Sequence, residues 1–445
     1  MTHGEILLLM TALFLIFGYM GVPVVFALMA GVLTACLLTP ISMQSMIGQM
    51  FHGIDSEILL AVPFFLLVGE LMTSANVTNR MIALAQTMVG HMRGGLAQVV
   101  TLVSMFFAGI SGSSTADVAV LSRTVAPEMD REGYDRAFTA ALIASASTMA
   151  NLIPPSIMAV VYGAIGNVSI GGLFLAGVAP GIVVGIGLMI YSHFFGPVGM
   201  KKPRASLCEF AAAARASVLP MMIPVIIMGG ILTGWFTPTE AGMIASVYIL
   251  LVIVPLLNPG HIRHLPRDFV YTGLLYSLPL ALVAAASAFG WMLAYLRGPD
   301  IVAGWIETYA GTDGRLIMFL LVLLFIIIGD FMDAVPAIII FMPIIIKLNE
   351  LGNINPLHMG VVIITTLVFG LITPPYGLSL LVASKFVGVQ FSKAMYASLP
   401  IYVVFFVTIG FTVFFPDVVL YLPKLLLPES VGCFRSPTGG YICPP

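Results

Sequence analysis

Charge is what this 445-residue chain has least of: Asp, Glu, Lys and Arg make up 9% of it, against 60% hydrophobic residues. Its mean hydropathy is +1.08. Residues 6–54 contain none of the four charged types, and neither do residues 137–200. Crossing the hydrocarbon core takes about 20 apolar residues in a helix, so each stretch has room for two spans. This excludes a soluble domain and predicts an all-α polytopic membrane protein. Cysteine is scarce too. Cys36, Cys208, Cys433 and Cys443 lack metal-ligand spacing, and only Cys433 and Cys443 are near enough in sequence to pair, given an oxidising compartment. No basic stretch precedes the first apolar run in MTHGEILLLM, so no cleaved signal peptide is expected. A glycine-rich loop followed by Lys and Ser or Thr is also missing, which argues against ATP as the direct energy source.

The prolines carry an internal repeat. Pro23, Pro63, Asp117, Pro127, Pro154 and Pro180 have counterparts in Pro238, Pro279, Asp333, Pro343, Pro374 and Pro400, at offsets of 215 to 220 residues. The chain therefore divides into a first repeat (1–200), a linker (201–215), a second repeat (216–425) and a tail (426–445). Spans are expected near 5–18, 23–39, 57–74, 136–163 and 173–195, then near 216–232, 239–257, 269–296, 357–384 and 395–416. Between the third and fourth span of each repeat lies a polar-interrupted apolar stretch, 96–127 and 315–346. Treated as re-entrant hairpins, these leave five crossings per repeat. An odd number gives the two repeats opposite orientations. If the 197–215 loop is inside, only Arg297, Arg315, Lys347, Lys424 and Arg435 of the 18 Lys and Arg lie outside. The positive-inside rule favours that choice, which puts both termini outside and the linker in the cytoplasm.

GISGSSTADV (109–118) places hydroxyls, glycines and a carboxylate consecutively inside oil. Non-helical backbone survives at that depth only when buried in protein or lining a wet cavity. The second hairpin turns at IIIGDFMDAVP (326–336), with Gly329, Asp330 and Asp333. Two Pro-Pro pairs, in NLIPPSI (151–157) and LITPPYG (371–377), break the helices 136–163 and 357–384, because proline lacks the amide donor and clashes with the preceding turn. Freed carbonyls suit a cation and the new helix N-termini an anion, as in secondary transporters with a midplane site. Plainer roles stand beside these. Ser114-x-x-Asp117 has capping-box spacing, and Asp333 precedes Pro336 by three residues, so either acid is a helix cap or an intramembrane functional carboxylate. Glu70 and Glu240, nearer span ends, suit structural pairing. Two enzymes were weighed against transport. GISG (109–112) resembles a rhomboid serine motif, but its base would be His193, near the basic 201–204 loop. An aspartyl protease would want GxGD, and Ile328-Gly329-Asp330 lacks the first glycine.

GISGSSTADVAV, FTPTEAG (236–242), NLIPPSI and ITPPYGLSLLVAS (372–384) resemble the large membrane subunit of tripartite ATP-independent periplasmic (TRAP) transporters, the DctM-like family. The likeness runs from about residue 5 to 425. It implies a non-enzymatic, elevator-type permease of the bacterial cytoplasmic membrane that uses a Na+ gradient to import a small organic acid, often a carboxylate. It also implies two partners, a small four-helix membrane subunit and an extracytoplasmic substrate-binding protein. The resemblance assigns Na+ to Ser111, Gly112, Ser113, Ser114, Asn151 and Pro154, and to Gly329, Asp333, Thr373, Pro374 and Gly377. Asp117, Ser156, Tyr376 and Ser379 are candidates for the substrate cavity. Tyr376 departs from the small aliphatic residue expected after the second Pro-Pro. The alternative is a stand-alone sodium–carboxylate symporter.

Overall fold

The computed structural model describes residues 2–74, 77–197, 203–432, 434–435 and 441–442. Cys433, Cys443, Lys201 and Lys202 lie outside them. The described chain is helical apart from one two-residue antiparallel pairing in the tail, Phe434–Arg435 with Tyr441–Ile442. Among the described residues seven helices are long and apolar enough to cross a membrane, up to eight if Ala61–Thr73 and Val77–Val89, bent by 74°, form one span. Shorter apolar helices, including Val24–Leu38 and Pro356–Gly370, complete the bundle.

Both polar-interrupted stretches are helix–turn–helix units. The first runs down Gly95–Ser111, turns at Gly112 and Ser113, and returns along Ser114–Thr124. Gly112 adopts φ 61°, a left-handed conformation that side chains disfavour. The second unit pairs Gly314–Phe331 with Ala334–Leu351 around Met332 and Asp333. Both Pro-Pro pairs interrupt helices as the sequence requires. Arg136–Ser147 tightens into a 3-10 turn, Thr148–Asn151, and resumes at Ile157–Gly166; Pro356–Gly370 resumes at Leu378–Val387. Each turn packs against the break that follows it in sequence. A Cβ on Gly112 would come within 2.5 Å of the Pro155 carbonyl oxygen, and one on Gly370 within 2.6 Å of the Gly329 backbone.

One sequence pairing is corrected. Val77 to Gly298, Gly95 to Gly314, Ser114 to Ala334, Arg136 to Pro356 and Ile157 to Leu378, all helix starts, are 221, 219, 220, 220 and 221 residues apart. The 220-residue proline landmarks hold this register, whereas Pro63/Pro279, Asp117/Asp333 and Pro127/Pro343 sit about four residues out of it. Pro127 opens a new short helix, Ala126–Arg131, while Pro343 lies inside a continuous one. Asp333 thus stands where Ser113 stands, at the turn, and Asp117 has no acidic counterpart.

Among the described residues, three helices of 12 or 13 residues escaped the sequence pattern: Met43–Ile54, Val77–Val89 and Gly298–Ala310. Val77–Val89 buries Val77, Met81, Ile82, Ala85 and Val89 and carries Asn79, Arg80 and Gln86 among them, so mean hydropathy passes over it. At the foot of the first hairpin, Arg136 donates to both Asp130 carboxylate oxygens at 2.8 and 2.9 Å. That hydrogen bonding holds the exposed Asp130 carboxyl below the usual carboxylate range.

The close approach of Gly370 to Gly329 makes a stability prediction. Gly370→Ala forces a methyl into backbone and is expected to cost about 1–3 kcal/mol. Gly410→Ala, with nothing within 4 Å of the added Cβ, is its control. The melting midpoint in detergent should fall for Gly370→Ala alone; equal midpoints would mean that the contact is soft.

Candidate functional site

The turn of the first hairpin is held by its own side chains. Ser111 Oγ donates to Asp117 Oδ1 at 2.6 Å, six residues on, and the Ser113 amide donates to Ser111 Oγ at 3.4 Å. Ser113 is the N-cap of the returning helix, without a side-chain capping bond. Asp117 therefore does not cap that helix, because its carboxylate is committed to fixing Ser111. It is 1% exposed and its Oδ2 has no partner among the described residues. In the second hairpin the cap role does hold, for Asp333 Oδ1 accepts from the Ala334 amide at 2.8 Å.

The two breaks are satisfied differently. In the first, Ser156 Oγ donates to the Asn151 carbonyl at 2.6 Å and accepts from the Ala159 amide at 3.2 Å, so Ser156 restarts the helix. In the second, Asp330 does the bridging. Its Oδ1 accepts from Thr373 Oγ1 at 2.5 Å, and its backbone carbonyl accepts from the Tyr376 amide at 3.0 Å. Asp330 was read only as a turn residue. Its signal was the acid directly after Gly329, facing a threonine one residue before the Pro-Pro pair. The two units meet where Ser114 Oγ and Ser379 Oγ stand 3.3 Å apart, both buried.

A cavity of about 800 Å³ opens at this junction. Ser111, Gly112, Ser113, Ser114, Asn151 and Asp333 line it, joined by Leu371 beside the second break. The hydroxyls of Ser113 and Thr115 lie 3.2 Å apart on its wall, and Asn151 presents an amide nitrogen with no partner among the described residues. This end offers neutral oxygen acceptors and donors plus one carboxylate, a set suited to a hard monovalent cation and to a polar solute. Pro154, Gly329, Thr373, Pro374 and Gly377 do not line the cavity but support its wall at the breaks. Nor do Asp117, Ser156, Tyr376 or Ser379, placed at the cavity from sequence: the first two are tied up internally, Ser379 is buried against Ser114, and the Tyr376 amide binds Asp330. Among the described residues no three His, Cys, Asp or Glu side chains are grouped to hold a metal.

The cavity's other end is charged, and no sequence motif marked it. Glu70, Arg123, His261, His264, Arg267 and Asp268 line it, from three separate helices and the turn at 259–264. His261 Nε2 and Asp268 Oδ2 are 2.5 Å apart. Glu70, expected to pair structurally, faces this cavity instead. Glu240 does play the structural part, accepting from the Thr237 amide at 2.8 Å in a capping box.

Residues 9–418 match the family model of the tripartite ATP-independent periplasmic transporter, DctM component. The chain is 38% identical over 402 residues to the C4-dicarboxylate TRAP transporter large permease protein DctM of Pseudomonas aeruginosa, covering 89% of this chain and 93% of that one. It is 35% identical to the sialic acid TRAP transporter large permease protein SiaM of Vibrio cholerae (93% and 98% covered), and 30% to the ectoine/5-hydroxyectoine permease UehC of Ruegeria pomeroyi (91% and 96%). Among solved structures, the Alcanivorax borkumensis YdaH transporter shares the fold with a TM-score of 0.57 at 13% identity, over 85% of this chain and 88% of that one. With a family model spanning nearly the whole chain and full-length relatives above 30% identity, this multi-pass membrane protein belongs to the DctM family, the large permeases of TRAP transporters.

Proposed function

We propose that the chain imports a small organic acid, a carboxylate, across the bacterial cytoplasmic membrane by coupling it to an inward Na+ gradient. The observation that carries this is the single cavity reached by both helix–turn–helix units. It takes hydroxyls from the first, Asp333 from the second, and an amide from Asn151 at the first break. Na+ takes oxygen ligands, and those available are the turn residues Ser111 to Ser114 with Asn151, and the Asp330–Thr373 pair beside Asp333. The cation's charge offsets that of the carboxylate substrate in a site with little water, where interactions are weakly screened. The two hairpins and two broken helices form the carrier of an elevator whose repeats are inverted. Relatives that are permeases for C4-dicarboxylates and for sialic acid support the organic-acid class. The TRAP architecture adds a small membrane subunit and a periplasmic binding protein that delivers substrate.

Inverted re-entrant hairpins have a topological consequence. Arg93 and Arg131, the exposed feet of the first hairpin, should label from the cytoplasm when replaced by cysteine. Asp313 and Asn353, feet of the second, should label from the periplasm. Labelling of either pair from opposite faces would sink the re-entrant arrangement.

Uptake in proteoliposomes tests the function itself. Transport should need the small subunit, the loaded binding protein and an inward Na+ gradient together. Robust uptake without the binding protein would favour the stand-alone symporter, and equal uptake with K+ would refute Na+ coupling.

Asp117 and Asp333 should separate in the same assay. Asp333→Asn, at the cavity wall, is expected to weaken Na+ dependence at least about tenfold, roughly 1.4 kcal/mol. Asp117→Asn keeps a hydrogen-bond acceptor for Ser111 and should lose less. Unchanged Na+ dependence in Asp333→Asn would remove it from the cation site.

A further inference from the structure

The charged end of the cavity has no part in the cation site. Arg123 lies nine residues beyond Ser114 on the returning arm of the first hairpin, about 14 Å from the turn at 1.5 Å per residue. Arg267 stands on the facing helix, Leu265–Tyr295, one turn before Tyr271, and all three line the same cavity. Among the described residues, neither guanidinium has a carboxylate oxygen within 4.0 Å. The contact recorded for Arg123 is the Phe386 ring, 4.9 Å below it. Of the acids nearby, Asp268 is engaged by His261. Glu70 remains, near enough to feel the attraction of Arg123, His261 and Arg267 and the repulsion of Asp268, with no salt bridge among the described residues.

We propose that Arg123 and Arg267 form an anion-holding station, separate from the turn site, where the carboxylate of a passing solute is held between the hydroxyl-lined end and the exit. Arginine suits this use because its planar fork binds a carboxylate through two parallel hydrogen bonds while remaining charged at any physiological pH. Two arginines without a carboxylate partner, on separate elements, line one cavity, whereas the turn end supplies no basic side chain at all. Glu70 keeps the station weak. It stands in the same field as a carboxylate belonging to the protein, competes with the solute and lets it leave. The ligand class rests on the organic-acid function proposed above; the charge asymmetry of the station does not, and can be read without any transport.

The test uses the full chain in nanodiscs with a Tyr271→Cys reporter beside Arg267, about half exposed at 49% before replacement. Cys36, Cys433 and Cys443 are replaced by alanine, and the native exposed Cys208 stays as an internal control. Labelling rates are measured with sulfonatoethyl methanethiosulfonate, an anion, and its trimethylammonium analogue, a cation. The anion-to-cation rate ratio at the reporter should exceed that at Cys208. It should fall at least about threefold in Arg123→Gln and in Arg267→Gln, rise in Glu70→Gln, and persist in Arg267→Lys. Succinate at about 10 mM should slow reporter labelling, and do so less in either Gln variant of the arginines. A ratio equal to that of Cys208, or one unmoved by all three neutralisations, overturns the station. A preserved ratio without succinate protection shows positive potential with no carboxylate held, and overturns it equally. Should an arginine variant fail to fold, Glu70→Gln still decides by the direction of its change.

Discussion

Everything in this fold follows from backbone polar groups that have lost their helical partners inside an apolar bundle. A Pro-Pro pair frees carbonyls a full turn back, and each such group left unpaired away from water costs several kcal/mol. The chain meets the demand locally. Ser156 turns back onto the Asn151 carbonyl, Tyr402 donates from another helix to the Ile372 carbonyl at 2.9 Å, and the Asp330 carbonyl takes the Tyr376 amide. Glycines let the hairpin turns come close enough to shield what remains. The hairpins and the breaks are therefore one device: neither could lie at depth in the bundle without the other.

The same constraint explains why the site is built from small residues. A turn pressed against the Pro155 carbonyl leaves no room for a Cβ at Gly112, so bulky ligands cannot come from that point. Hydroxyls at Ser111, Ser113 and Ser114 are the shortest groups that still offer oxygen. Asp117 then acts one layer behind, by fixing the Ser111 hydroxyl rather than by facing the cavity. A carboxylate that orients a hydroxyl and one that meets a solute look alike in sequence, and only burial and hydrogen bonding separate Asp117 from Asp333.

Much of this was legible in the residues, for a physical reason. Proline pairs, glycine turns and runs without charge act through local backbone chemistry, so they announce themselves wherever they occur. The breaks at 151–157 and 371–377 and the turns at Gly112 and Asp333 belong to that class. Two things were not local. Amphipathic helices such as Val77–Val89 hide in averaged hydropathy. The pairing of Asp117 with Asp333 failed because proline spacing alone does not say whether a proline opens a helix, as Pro127 does, or sits within one, as Pro343 does.

The charged rim was illegible for a deeper reason. Glu70, Arg123 and the residues around Asp268 are separated by 53 positions or more along the chain, and no local pattern links them. Their union depends on how the first hairpin's returning arm and the helices Ala61–Ser74 and Leu265–Tyr295 surround one cavity, a matter of packing rather than periodicity. It also changes how the cavity works. Under the proposed function, the hydroxyl-lined end, with Asp333 as its one carboxylate, would take a cation and a solute together. In the proposed station, the mixed-charge end would hold an anion only loosely while Glu70 competes for the same guanidiniums. If the proposed station holds, selection at one end and release at the other fall to two chemistries about 14 Å apart along one helix.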